Sequence, residues 1–159
     1  MSPAVHLVGL ISDTHGLVRP GVHAALAGVE LILHAGDVGG ADVLLELQTI
    51  APVRAVLGNT DYPGTPGLER EIVRELGGVT IHVSHGHELG SPTPRRLLEA
   101  YPHDVLVYGH THRQLVTRAE GRLVVNPGAA GPRRFDLVPS VGRLKIGADG
   151  AEVEIVELE

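Results

Sequence analysis

Apolar residues along this chain fall in short β-branched runs, each stopped by polar or glycine-containing turns. Residues 5–11 form the first run and give way to Ser12-Asp13-Thr14-His15-Gly16, which predicts a buried strand followed by a loop. After Pro20-Gly21, the positions Val22, Leu26 and Val29 lie near one helical face, so a short helix is expected over 19–28. Residues 31–34 read as a second strand, stopped by Ala35-Gly36-Asp37. Asp42 is placed to cap the helix that follows, with Val43, Leu44 and Leu47 turned to the core. A third strand over 53–57 stops at Gly58-Asn59-Thr60-Asp61. Repeated strand–loop–helix units predict parallel pairing through right-handed crossovers.

The pattern then changes. Residues 70–75 and 79–84 flank Gly77-Gly78 and read as a hairpin. A helix is expected over 93–100 and a strand over 104–108, which ends at Gly109-His110. The tail is β-rich, with 115–118 and 123–126 around Glu120-Gly121 and then 141–146 and 152–158 around Asp149-Gly150. No fixed-period repeat or low-complexity linker divides the chain, so one domain is expected over 1–159. The fold class is α/β with two sheets, parallel in the first half and increasingly antiparallel in the second.

Composition narrows the function classes. A chain of 159 residues buries roughly 70% of the surface its unfolded form exposes, enough for a core without staples. The absence of cysteine excludes a disulfide framework, thiolate metal sites and a cysteine nucleophile. No basic segment with a cleavable apolar run opens the chain, and no stretch approaches the ~18 apolar residues of a membrane helix, so a soluble, cytoplasmic protein without membrane partners is expected. The net charge of −6 argues against nucleic acid as a partner, since such binding is driven by phosphate neutralisation. Arg95, Arg96, Arg133 and Arg134 could still supply a local basic pocket. With three tyrosines, one phenylalanine and no tryptophan, the chain lacks the material for a base-stacking platform.

The chemistry sits where strands end. Asp13 and His15, Asp37, Asn59, His85, and His110 with His112 all follow predicted strands. Strand ends at the carboxyl side of a sheet are where α/β folds place their sites. Mixed carboxylate, imidazole and amide ligands suit divalent Mn, Fe, Co, Ni or Zn better than Ca. A single Asp after a strand more often turns or caps the chain, and lone histidines such as His6, His23, His34, His82 and His103 read as structural. The collection is what such readings explain badly, because desolvating several carboxylates and imidazoles together is costly without a cation or hydrogen bonds.

The motifs Asp13-x-His15, Gly36-Asp37, Gly58-Asn59-x-Asp61, Ser84-His85-Gly86-His87 and Gly109-His110-x-His112 occur in that order. This set resembles the calcineurin-like metallophosphoesterase superfamily, and within it the small single-domain phosphodiesterase branch, whose third motif carries Asn-x-Asp. The later Asn126-Pro127-Gly128 is similar to that branch as well. The resemblance implies a β-sandwich of two mixed sheets flanked by helices. It implies two divalent ions, manganese foremost, with Asp13, His15 and His112 on the first, Asn59, His85 and His110 on the second, and Asp37 bridging them. A bridging carboxylate holds two cations about 3.5–4 Å apart, so that they share a water, lower its pKa and supply a hydroxide nucleophile. They also offset the charge that grows on the phosphoryl oxygens. The expected activity is hydrolysis of small phosphate esters, with diesters ahead of monoesters. Asp37 and Asn59 belong to the catalytic set, and Asn59 also contacts substrate.

Many members of the superfamily carry a histidine directly after the motif-three asparagine, where it can assist the leaving group. Here Thr60 stands there, and its hydroxyl is no acid near neutral pH. His87 and Asp61 are the nearest substitutes, His87 as a substrate-side helper; Asp61 is equally suited to orienting a ligand histidine. The glycine-rich stretch 126–133 reads either as a tight connection or as a loop beside the active centre, from which Arg133, and less securely Arg134, meets substrate phosphate. A related protein of this fold serves as a scaffold in a membrane-trafficking complex with an eroded metal site. All seven ligand positions here hold competent residue types, which sets the scaffold alternative behind the hydrolase. Relatives are often dimers or larger, so a homo-oligomer is also implied.

Overall fold

The computed structural model describes residues 5–134 and 136–158. It contains strands β1 (His6–Ile11), β2 (Leu31–His34), β3 (Val53–Val56), β4 (Leu68–Glu69), β5 (Ile72–Leu76), β6 (Val79–Val83), β7 (Val105–Val107), β8 (Leu115–Ala119), β9 (Arg122–Asn126), β10 (Ser140–Gly147) and β11 (Gly150–Glu157). Helices α1 (Gly21–Ala25), α2 (Ala41–Gln48) and α3 (Pro94–Ala100) connect them, with a short 3-10 turn at His87–Leu89. The strands form one sheet of order β11-β10-β1-β2-β3-β4 and a second of order β5-β6-β7-β9-β8. Among the described residues, no helix is long and apolar enough to cross a membrane.

Strand periodicity explains the layering. Successive side chains of a strand point to opposite faces, so Val8 and Leu10 of β1, Leu33 of β2, Val105 and Val107 of β7 and Leu123 and Val125 of β9 fill the space between the sheets. The intervening Ile11 and Ile32 face α1 and α2, where Val22, Leu26, Val43 and Leu47 bury themselves. On the far side Leu106 and Val124 pack under Leu97 of α3. The result is helix, sheet, sheet, helix, as the sequence leads one to expect. Buried aliphatic side chains contribute about 1.5–3 kcal/mol each, so the inter-sheet layer and the layer under α1 and α2 both stabilise the fold.

Several elements differ from expectation. The first helix spans only Gly21–Ala25, and Gly28 at φ 85° keeps the chain from continuing it. Gly40, not Asp42, caps α2; Asp42 lies in the first turn and supplies negative charge to the helix N-terminus instead. Thr93 caps α3, its hydroxyl accepting the Arg96 N–H, with Pro94 in the first turn. Strand β4 was not anticipated. The second half is also less antiparallel than its hairpins suggest, because β6, β7 and β9 pair in parallel and only the edge strands β5 and β8 run against them.

That parallel arrangement positions the site. β1, β2 and β3 pair in parallel, and so do β6, β7 and β9. The carboxyl ends of both sets meet at one end of the sandwich, where the Ala35 carbonyl accepts from His85 and an Asp13 carboxylate oxygen accepts the His110 N–H.

Candidate metal centre

The loops after β1 and β2 run side by side. The N–H groups of Asp13, His15 and Gly16 donate to the carbonyls of Gly36, Asp37 and Val38 at 2.9, 3.0 and 2.9 Å. This ladder carries Asp13 and Asp37 to the same end of the sheet. Asp13, His15, Asp37, His110 and His112 all have positive φ, between 45° and 71°. The one other described non-glycine residue with positive φ is Glu120, in the hairpin turn between β8 and β9. Left-handed backbone costs an L-residue roughly 1–2 kcal/mol, and such strain persists where function demands a particular aim.

The side chains converge. Nε2 of His112 and Nε2 of His15 lie 3.3 and 3.9 Å from Asp13 Oδ1, and Nε2 of His85 also lies 3.9 Å from it. Asp37 Oδ2 lies 3.2 Å from His85 Nε2 and 3.8 Å from His15 Nε2, so it stands between the two groups of histidines. Asn59 Oδ1 is 2.9 Å from His85 Nε2 and 3.1 Å from His110 Nδ1. All seven sequence-expected ligands are therefore brought together. Two sub-clusters, Asp13 with His15 and His112, and Asp13 with Asp37 and His85, have their ligand atoms within 4.8 Å of one another.

The donor set fits cations. Asp13 Oδ1 is fully buried, yet it accepts no hydrogen bond among the described residues and faces three imidazole nitrogens. His85 Nδ1 sits 2.7 Å from the Ala35 carbonyl, which fixes a proton there and leaves Nε2 directed into the cluster. Gly58 has no room for a side chain: a Cβ would stand 2.1 Å from both the Asp37 nitrogen and Oδ1. A Cβ at Gly109 would likewise stand 2.1 Å from Ser12 Oγ and 2.6 Å from Asp13 Oδ2.

Electrostatics follow the same arrangement. Burial pushes the Asp37 carboxyl up, but the facing His85 imidazole and the Thr60 N–H outweigh it and hold the group well below the usual carboxylate range. Asp13 behaves alike: burial raises it, and His112, His85 and Ser12 together bring it below its ordinary value. Burial lowers His15 and His110. His85 is opposed by burial but raised overall by Asp37 and Asp13. Anionic carboxylates facing imidazoles form a cation-binding environment.

A family model for the calcineurin-like phosphoesterase superfamily domain matches residues 7–149. The chain belongs to that superfamily. It is 36% identical to a probable metallophosphoesterase of Methanothermobacter thermautotrophicus over 159 residues, covering 94% of this chain and 91% of the relative. In shape it is similar to Vacuolar Protein Sorting 29 of Cryptosporidium parvum, with TM-score 0.80, 23% identity and full coverage of both chains. It is also similar to a structure described as a novel archaeal phosphodiesterase, with TM-score 0.75, 23% identity and coverage of 96% and 99%. Vps29 proteins of other organisms recur among the similar solved structures.

The residues around this centre take distinct places. Asp61 is turned into the backbone, where its carboxylate accepts N–H groups from Gly58 at 2.9 Å and from Val38 and Gly39 at 3.1 Å. His87 opens the 3-10 turn, its ring centroid 5.3 Å from that of His85 and 6.3 Å from that of His110. Its Nδ1 lies 2.9 Å from Glu88 Oε1, outside hydrogen-bond geometry. The 126–133 stretch does lie beside the centre, since Ala130 and Gly131 donate to the Ser12 and Asp13 carbonyls and Arg19 Nε donates to the Gly131 carbonyl. Arg133 and Arg134 are both exposed, and the charge that helps depress His15 is that of Arg134.

His34, read from the sequence as structural, is so, but in a supporting role that the sequence did not specify. His34 is fully buried, with Nε2 2.9 Å from Thr14 Oγ1, while Nδ1 accepts the Gly36 N–H at 3.1 Å. Thr14 Oγ1 donates onward to the Val38 carbonyl, so His34 is the neutral Nε2–H tautomer and links the two ligand-bearing loops. A histidine ending an apolar run carries no sequence signal for this role. Burial pushes its pKa down to about 4. The unfolded chain, with an ordinary value near ~6.5, therefore binds the extra proton first. Stability is expected to be unaffected above pH ~6.5 and to fall between ~6.5 and 4 by about 3 kcal/mol in all. A His34→Gln protein should lose this component of the acid-side slope in urea unfolding measured at several pH values; an identical slope would contradict it.

Proposed function

We propose that this protein hydrolyses phosphate esters, diesters ahead of monoesters, at a dinuclear metal centre. Asp13, His15 and His112 would hold one ion, Asn59, His85 and His110 the other, and Asp37 would stand between them, with manganese the first metal to test. The buried, unpartnered Asp13 Oδ1 facing three imidazole nitrogens carries this reading. When bound, two divalent ions supply an acidified water and positive charge at the phosphoryl oxygens. The chain's own part is positional. Ala35 fixes the His85 tautomer, Thr60 N–H keeps the Asp37 carboxylate anionic, and Asn59 offers a neutral oxygen that limits the negative charge of the set.

His87 is the group we assign to the leaving oxygen, because it flanks His85 and His110 without being drawn into the cluster. A His87→Ala enzyme should lose more activity on poor leaving groups than on good ones, by about 10²-fold for the former. Rate constants for a series of phenyl-substituted diesters would check this, and equal slowing across the series would reject the role.

A second reading, a protein-binding scaffold without catalysis, is favoured by the recurrence of Vps29 proteins among similar folds. Turnover separates the two, not metal content, since a scaffold can retain a cation. Restored with manganese, the protein should cleave bis(p-nitrophenyl) phosphate faster than p-nitrophenyl phosphate. A ratio below one would overturn the diester preference, and no cleavage of either would favour the scaffold.

A further inference from the structure

We propose that an apolar pocket beside the metal centre is the subsite for an uncharged aromatic ester group of the substrate; this rests on the hydrolase reading above. The pocket encloses about 270 Å³ between the start of α2 and the loop that follows β3. Ala41 and Leu44 wall it from the helix, Tyr62 and Pro66 from the loop, and Leu68 from β4. Its inner lining includes Thr60, whose N–H donates to Asp37 Oδ1 at 2.9 Å and whose chain neighbour Asn59 meets His85 and His110. Thr60 therefore links the wall of the pocket to a carboxylate of the metal centre.

Size and charge define the occupant. An apolar cavity of roughly 150 Å³ takes up benzene, so this pocket has room for one ring and its linking oxygen. No lysine or arginine lines it, and its single carboxylate, Asp61, is occupied by three backbone N–H groups. A second phosphate would find no counter-charge there. Tyr62 is 84% exposed, whereas Tyr108 is buried and Tyr101 stacks on His82. A bare aromatic ring at an otherwise aliphatic pocket gains contact when another flat ring lies against it. The hollow on the other side of the loop, near His87, differs in having Arg70 and Glu88 among its walls.

Phosphonates test this without turnover, because their carbon–phosphorus bond is not an ester. Calorimetric titration of the manganese-loaded protein would compare inorganic phosphate, methylphosphonate and phenylphosphonate. Phenylphosphonate should bind about tenfold more tightly than methylphosphonate. Tyr62→Ala, which removes the ring, and Ala41→Trp, which fills the pocket from an exposed position, should each bring the two close to parity. Phosphate and methylphosphonate should bind both variants as they bind the unaltered protein. Parity in the unaltered protein, or a preference that survives both substitutions, would overturn the subsite while leaving the hydrolase reading intact. Failure of all three anions to bind would overturn that reading and the subsite with it.

Discussion

Asp37→Asn is expected to reduce metal content from roughly two ions per chain to one or fewer, and to slow hydrolysis at least about a thousandfold. Asparagine has the same shape, tolerates the left-handed backbone at φ 56° and keeps an oxygen for the Thr60 N–H. What it lacks is the charge. Asp37 Oδ2 lies 3.2 Å from His85 Nε2 and 3.8 Å from His15 Nε2, so a single carboxylate faces ligands of both proposed ions. Metal-assisted stabilisation of a phosphoryl transition state is worth several kcal/mol, and ~1.4 kcal/mol is a factor of ten in rate. Alanine at this position would add backbone strain and blur the result. Metal analysis and a hydrolysis assay on the same preparation check the expectation. Two retained ions with a rate within tenfold of the unaltered enzyme would contradict the bridging role.

Asp61→Ala should damage both the fold and the site, although Asp61 touches none of the seven proposed ligand side chains by hydrogen bond among the described residues. Its carboxylate gathers the N–H groups of Gly58, Val38 and Gly39, thereby tying the loop after β2 to the loop after β3. Hydrogen bonds to a charged group contribute about 1.5–3 kcal/mol each, and Gly39 is exposed enough for water to replace its bond. A loss of about 3 kcal/mol in urea unfolding is therefore expected. Because those loops carry Asp37 and Asn59, metal affinity should also fall about 10–100-fold. Asp61→Asn, with one acceptor oxygen left, should be intermediate in both. Unchanged stability in the alanine protein would show that the bonds to Asp61 are not what holds the loops together.

Much of this architecture was legible because it follows short-range periodicity. The apolar runs at 5–11 and 31–34 announce buried strands, but only the structure separates Val8, Leu10 and Leu33, between the sheets, from Ile11 and Ile32, under the helices. The candidate ligands were legible because each follows a strand whose apolar run ends abruptly. Strand β4 was not, since Leu68–Glu69 is too short to establish any period. The parallel pairing of β7 with β9 was hidden as well. The hairpin around Glu120-Gly121 reads as local antiparallel structure, and nothing nearby in sequence says which of its strands joins β7.

The supporting shell of the site was the least legible part. Asp61 could have served as an acid or an orienter by residue type alone; its three backbone donors come from two separate loops. His34 looks like any histidine at the end of an apolar strand, and its bridge to Thr14 depends on register between loops 20 residues apart. The left-handed conformations of Asp13, His15, Asp37, His110 and His112 have no sequence signature beyond the mild tolerance of Asp and His for that region. Their coincidence with the expected ligand set is an independent sign that the backbone is shaped around this centre.

The most direct test of a dinuclear hydrolase is one preparation of chelator-treated protein, restored stepwise with manganese, in which bound metal and diester cleavage are followed together. Activity should be absent without metal and should rise to its full value as occupancy approaches roughly two ions per chain. Full occupancy with no cleavage, or cleavage that does not depend on added metal, would contradict it.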